Sequence, residues 1–354
     1  MPATTDTVWR EQDTTPTAIE AAIRHLEHQR VQENPGYVQS RVLNLVLIVD
    51  RAWSGEIANR LGKVGRFHPS RTIVCSIEPR RTAIDATVTL SGAAEVKAGE
   101  LAPVRETLVL SLGQQHLAGL DTIVDPLVKT DLPTLIWAPH GHQEALEELL
   151  DLSQIVLIDT VEEADPATAM RHALALSERI YVVDLAWLRS TPWRERIAGT
   201  FDPPNRRRDL QAISRMEIRH HPESPAAALL LAGWLASRLG WDPSPLVRHD
   251  GGLRARLHAR RQDVTLDLVA DPTQSVPGLA GITVQTARGE TRTLDRGQGG
   301  LRASLTRRDG TTEAWTALGA SRGEGGILGE GIRQALLRDR TYVPALRIAE
   351  ALAR

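Results

Sequence analysis

Seven of the eight residues in Val42–Val49 are apolar, with Asn44 the one exception. A strand with one wet face alternates polar and apolar side chains; a continuous run suits a strand covered on both faces, as at the centre of an α/β layer. The flanking pattern agrees. Thr15-Pro16 opens a helix with Ile19, Ala22, Ile23 and Leu26 at helical spacing, ending before Asn34-Pro35-Gly36. After the apolar run the chain predicts a short helix at 55–64, then strands near 72–77, 84–90 and 107–112. A helix or turn (114–128), a strand (134–138), a helix (143–151) and a strand (154–159) follow. Strand–helix–strand alternation of this kind builds an α/β domain with a mixed sheet and flanking helices, the 84–112 pair being its antiparallel addition. Residues 1–12 are polar and are expected to be flexible.

The Glu162–Pro166 stretch reads as a linker, which divides the chain into an α/β domain at 1–163 and a second domain at 164–354, with an alternative boundary near 205 at Pro203–Asn205. The second domain opens with a helix (167–179), a strand near 215–220 and a strongly apolar helix (226–239). Short alternating segments near 254–260, 263–270, 281–287, 301–307 and 312–317 are separated by turn sequences such as DGG and RDG, the pattern of an antiparallel meander. Helices at 327–338 and 343–353 close an α+β domain.

Composition narrows the setting. Of 354 residues, 42% are hydrophobic and 24% charged, the balance of a globular protein. The longest nearly apolar run, Ala226–Ala236, is about half of what crosses a bilayer, so no membrane is expected. The amino terminus has no basic-then-apolar export pattern, so the expected location is cytoplasmic. Cys75 is the single cysteine; inside the run TIVCSI it reads as a core residue, and no intrachain disulfide is possible. Residues 1–165 carry a net charge of −10 and residues 166–354 a net of +8. Basic residues lie among acids, and no helix-turn-helix, zinc finger or stacking-aromatic signature accompanies them, so no nucleic acid partner is expected.

The sequence carries no complete catalytic, cofactor or metal-binding motif. Between Gly55 and Gly62-Lys63 lie six residues where a Walker loop needs four, and Val64 stands where Ser or Thr must bind magnesium. The run Gly323–Gly331 has Leu328 in place of the third glycine of a dinucleotide loop and does not open a βαβ unit. His140-Gly141-His142 is the best metal candidate but has no supporting third ligand, and His220-His221 is no better supported. There is no G-x-S-x-G elbow. His68-Pro69-Ser70-Arg71 offers donors to a carboxylate or a phosphate. We therefore expect no catalytic residue, no metal and no cofactor.

The richest stretch is Asp184–Pro203, where Trp187 and Trp193 alternate with Arg189, Arg194 and Arg196. Thr191-Pro192 reads as a helix start with Thr191 as N-cap, and Asp184 as the cap of a shorter helix before it. Trp and Arg are enriched where one protein grips another; the competing reading puts the tryptophans in the core with arginine stems over apolar surface.

This stretch (DLAWLRSTPWRER), with RVLNLVLIVDR at 41–51, RFHPSRTIVCSIEPRR at 66–81, LDTIVDPLVKTDLPTLIWAPHGH at 120–142 and AAALLLAGWLASRLGW at 226–241, resembles the glucose-6-phosphate dehydrogenase assembly protein family, OpcA, of the actinobacterial type. The resemblance runs from Asp13 to Trp241. It implies a non-catalytic assembly factor and allosteric activator of glucose-6-phosphate dehydrogenase in the oxidative pentose phosphate pathway. Partner contacts are then expected among Trp187, Arg189, Trp193, Arg194, Arg196, His68, Ser70, Arg71, His140 and His142; the chain's own oligomeric state is left open. Photosynthetic members are associated with thiol redox control, for which one cysteine lacks a disulfide partner. The alternative is a sugar-phosphate-binding protein or enzyme using a His/Arg site of His68, Arg71, His140 and His142.

Overall fold

A computed structural model describes residues 4–33, 38–57, 69–93, 101–103, 105–139, 141–260, 262–298, 300–318 and 323–354. Two compact units emerge. The first is Met1–Ile158 with Ile180–Val183 and Glu324–Leu337; the second is Asp159–Arg179, Asp184–Gly323 and Arg338–Arg354. The chain leaves the first unit after Ile158 and returns to it twice, at Ile180–Val183 and at Glu324–Leu337.

The first unit is built on an eight-stranded sheet of β1 (Thr4–Glu11), β2 (Leu43–Asp50), β3 (Ser70–Ile77), β4 (Asp85–Ala93), β5 (Arg105–Leu112), β6 (Thr134–Trp137), β7 (Ile155–Ile158) and β8 (Tyr181–Asp184). Their spatial order is β1-β4-β5-β3-β2-β6-β7-β8. Strands β5, β3, β2, β6 and β7 run parallel, while β4 and β1 add antiparallel on one side. Residues Leu43–Val49 are all buried, as their apolar run requires. Asn44 belongs there too: its amide donates to the carbonyls of Lys129 (2.9 Å) and Leu132 (3.3 Å), and its oxygen accepts from Lys129 N–H (3.0 Å). One asparagine thus satisfies the backbone of the loop entering β6.

The amino-terminal strand corrects an expectation. Residues 4–11 pair with β4 over their whole length, from Thr4 opposite Ala93 to Glu11 opposite Ala86. An edge strand needs no apolar run, so its polar sequence reads as flexible. Helix α1 (Pro16–Glu33) buries Ile19, Ala22, Ile23 and Leu26 as spaced. Helices α2 (Leu120–Val124) and α3 (Gln143–Leu149) follow in the same unit. The helix read at 55–64 is described only as far as Ile57.

The second unit holds α4 (Pro166–Arg179), α5 (Leu185–Arg189), α6 (Thr191–Gly199), α7 (Pro225–Leu239) and, after α8 (Gly323–Leu337) of the first unit, α9 (Tyr342–Ala353). Its sheet has nine strands, chiefly β9 (Ile213–His220), β10 (Gly252–His258), β11 (Asp263–Ala270), β12 (Leu279–Thr286), β13 (Thr291–Gly297), β14 (Gly300–Thr306) and β15 (Thr312–Leu318). The expected meander is split, because β9 enters between β11 and β12, parallel to the former and antiparallel to the latter. Strand β13 escapes a pattern reading. Its Arg292 is fully buried, bonded to Asp209 (2.8 Å) and Glu290 (3.0 Å) and stacked on Phe201, so a core position carries a solvent-type residue.

Helix α7 is buried nearly all round because it lies between the sheet and α9. Gly233 permits that approach: a Cβ there would stand 2.2 Å from the Ala345 carbonyl oxygen and 3.0 Å from Ala349 N. Gly240 ends the helix in the left-handed conformation at φ 67°. No described helix is long and apolar enough to cross a membrane. Substituting Gly233→Ala should cost about 1–3 kcal/mol through overpacking, seen as a lower melting temperature; an unchanged melting temperature would show that α7 and α9 do not touch there.

Candidate functional site

The Trp/Arg stretch forms two short helices. Asp184 caps α5 as its place in the sequence suggests, its carboxylate accepting from Ala186 N–H at 2.9 Å. The next cap is Ser190, which shifts the expected Thr191 N-cap inside α6 with Pro192 behind it. The two helices share a turn in which the Ser190 hydroxyl donates to the Trp187 carbonyl at 2.7 Å.

Asp184 does more than cap. It also accepts from Thr160 N–H (3.2 Å), the Thr160 hydroxyl (2.9 Å) and the Tyr342 hydroxyl (3.1 Å). With Ala186, these donors come from all three chain segments of the second unit. Burial, helped by the neighbouring Asp159 charge, raises the carboxyl to about 6 despite the hydrogen bonds. The Tyr342 hydroxyl is also pushed well up by burial and by this carboxylate.

Trp187 lies beside this carboxylate, only 2% exposed. Its indole N–H donates to Asp339 at 2.8 Å, and its ring meets Tyr342 edge-on at 5.4 Å. The Arg194 guanidinium lies 3.5 Å from the same ring's centroid and donates to the Trp187 carbonyl (3.2 Å) and the Thr191 hydroxyl (2.8 Å). Burial lowers Arg194 to about 10, so it is still a cation at neutral pH. Burial works against the Asp339 carboxylate, yet bonds from Thr341 and Trp187, with Arg194 near, hold it below its ordinary range. Trp193 is 4% exposed, with the Arg296 guanidinium 6.0 Å from its ring centroid.

Burial therefore sorts the five residues. Trp187, Trp193 and Arg194 serve the packing of the unit, while Arg189 and Arg196 reach its surface with 29% and 39% of their side chains exposed. Arg189 also pairs with Asp159 at 2.7 Å.

The other expected contacts separate along the first unit's sheet. Ser70 and Arg71 are at the start of β3, both buried. Arg71 grips Glu106 through Nε (3.0 Å) and Nη2 (2.8 Å) and donates to the Leu127 carbonyl (2.8 Å), while Arg41 adds a second pair to Glu106 at 2.9 Å. His142 is near the opposite, carboxyl ends, its Nε2 3.0 Å from the Asp50 carboxylate. The ladder that pairs Asn44 with Arg71 reaches Asp50 and Ile77 only at its far end, roughly 20 Å away for strands of this rise. Arg71 and His142 therefore do not share a His/Arg site. His68 and His140 lie outside the described residues.

A third group, Arg51, Glu78, Arg80 and Arg81, matches no motif and lines a crevice at the carboxyl ends of β2 and β3. Its one sequence signal is the Pro79-Arg80-Arg81 run that closely follows a buried strand.

Asp184 supplies a test in pH. With its folded value raised above the ordinary 3.8, the folded protein holds a proton that the unfolded chain has released. Its contribution is most favourable below about pH 4 and is lost as pH rises through about 6. A shift of this size corresponds to roughly 3 kcal/mol. The melting temperature of wild type minus that of Asp184→Asn should rise by several degrees between pH 7.5 and 4.5; a constant difference would mean that Asp184 stays ionised.

Two family models match this chain. One describes the N-terminal domain of a glucose-6-phosphate dehydrogenase subunit and matches residues 62–175; the other describes the C-terminal domain of that subunit and matches residues 180–346. The OxPP cycle protein OpcA of Synechococcus elongatus is 32% identical over 151 residues, 42% of this chain and 34% of that protein. The protein of the same name in Nostoc punctiforme is 29% identical over 184 residues, 50% of this chain and 40% of its own length. The matched region thus spans between about a third and two fifths of these relatives. Among solved structures, the Bacillus subtilis oxidoreductase yvaA overlays with a TM-score of 0.49 at 12% identity, covering 88% of this chain and 96% of that one. The WlbA dehydrogenase of Thermus thermophilus, solved with NAD and α-ketoglutarate, gives 0.43 at 14%, covering 88% and 95%. These overlays are too loose to speak to chemistry. Matched through both halves by the two models, the chain belongs to the OpcA family of glucose-6-phosphate dehydrogenase subunits.

Proposed function

We propose that this chain is a non-catalytic cytoplasmic subunit that assembles with glucose-6-phosphate dehydrogenase and allosterically activates it in the oxidative pentose phosphate pathway. The match to both domain models carries the reading, and the relatives' naming as OxPP cycle proteins supports it.

Local chemistry agrees. A doubly wound parallel sheet binds a dinucleotide at the turn leaving its first strand, where glycines let backbone approach the pyrophosphate. Here the turn leaving β2 begins Asp50-Arg51-Ala52-Trp53, with no glycine and with a carboxylate at that position. Cys75 is buried in β3, and burial pushes its thiol up to about 12, which favours a control mode without thiol exchange.

Arg189 and Arg196 are the contacts we favour for the dehydrogenase, because forked donors at a surface suit recognition of a partner's carboxylates. Trp187, Trp193 and Arg194 hold the two short helices that present them. Alone, the chain should turn over neither glucose 6-phosphate nor any other sugar phosphate; mixed with its dehydrogenase, it should raise that enzyme's rate. Arg196→Glu should weaken the complex about tenfold or more, on the order of 1–2 kcal/mol, with an unchanged melting temperature. Trp193→Ala should instead unfold the chain early, since losing a core tryptophan costs about 3–5 kcal/mol. Turnover by the isolated chain, or an unaltered dehydrogenase rate, would contradict the proposal.

A further inference from the structure

The carboxyl ends of β2 and β3 open into a crevice of about 650 Å³ lined by Arg51, Glu78, Pro79, Arg80, Arg81, Thr82 and Ala83. In an open parallel sheet this is the end where ligands are held, because successive turns leave the strands there and diverge around the space between them. Arg51 directly follows β2, and Glu78 directly follows β3, so the fold fixes both backbones at the rim.

The charges are arranged unequally. Glu78 pairs with both Arg51 and Arg81, and Arg81 pairs on with Asp85. Arg51 and Arg81 hold the Glu78 carboxylate below its ordinary range although partial burial opposes them, so it stays an acceptor through the physiological range. Of the three guanidinium groups, Arg51 and Arg81 are matched by Glu78 and Asp85, while the neighbouring Asp50 carboxylate is bonded to His142. Arg80 is left over: the side chain is exposed and, among the described residues, forms no hydrogen bond or ion pair. Arg51 is also mostly in solvent, with 65% of its side chain exposed. Each carboxylate oxygen of Glu78 has a second lone pair, free of its arginine, that can accept from a hydroxyl. A fixed acceptor beside one unpaired guanidinium, Arg80, and a second, Arg51, that is paired yet mostly exposed suits a ligand bearing both hydroxyls and a dianion.

We propose that this crevice binds a phosphorylated sugar, with Arg51 and Arg80 on the phosphate and Glu78 on neighbouring hydroxyls. The site shares none of its residues with Arg189 and Arg196, and it makes the chain a sensor of a phosphate ester as well as a subunit. The binding is a property of the chain by itself, so it is measured without the dehydrogenase and stands or falls separately from the assembly reading.

The test is titration calorimetry of the full chain with glucose 6-phosphate, adenosine 2′-phosphate and inorganic phosphate in turn. The first two ask whether the ester comes from a free sugar or from a nucleotide's ribose, and the tighter of them names the source. At least one ester should saturate the chain, with inorganic phosphate about tenfold weaker. Arg80→Ala should weaken ester and inorganic phosphate alike, by about tenfold, the worth of one charge-assisted bond. Glu78→Gln should weaken the ester only. Melting temperatures of both variants serve as a check on folding, and Arg51→Ala, at a mostly exposed position, gives a second reading on the phosphate. No saturable binding of either ester up to about 10 mM, a weak limit for any specific site, or binding that all three variants leave unchanged, would overturn the proposal.

Discussion

The second unit depends on one buried carboxylate. Its chain arrives in three separate segments, and Asp184 accepts a hydrogen bond from each: Thr160 in the first, Ala186 in the second and Tyr342 in the third. Beside it, Trp187, Arg194 and Asp339 tie the second segment to the third again. A carboxylate taken out of water is costly unless its lone pairs are filled; here all four donors are neutral, so burial is offset only in part and the group's affinity for a proton rises. The Trp/Arg stretch is therefore first a fastening, and its surface arginines are held by what lies beneath them.

The first unit divides its polar groups between the two ends of a parallel sheet. At the amino ends, Arg71 and Arg41 each pair with both Glu106 and Glu27, and Asn44 holds the neighbouring loop. Glu106 is wholly buried and shared by two arginines, so removing both would strand its charge. At the carboxyl ends the balance is different: His142 meets Asp50, and an arginine group with one uncompensated charge lines open space. Strand order, more than any single motif, assigns a sealed end and an open one.

Much of this is legible in the sequence. The Val42–Val49 run reads as a central strand because full burial removes alternation, and the apolar Ala226–Ala236 run reads as a covered helix for the same reason. Asp184 as a cap follows from its place before Leu185. What escapes has equally physical causes. The edge strand Thr4–Glu11 needs no apolar face, and β13 hides a buried arginine behind a polar sequence. The insertion of β9 between β11 and β12 is a pairing choice that no local pattern encodes. The candidate contacts are the least legible. Residue types suited to an interface also suit a polar core, and only burial separates Trp187 from Arg196.

Association with the dehydrogenase is the central claim, and mass tests it most directly. Sedimentation or light scattering of the two purified proteins, alone and mixed at micromolar concentration, should give a single species heavier than either. A mixture whose masses are those of the two separate proteins at every ratio would contradict the account.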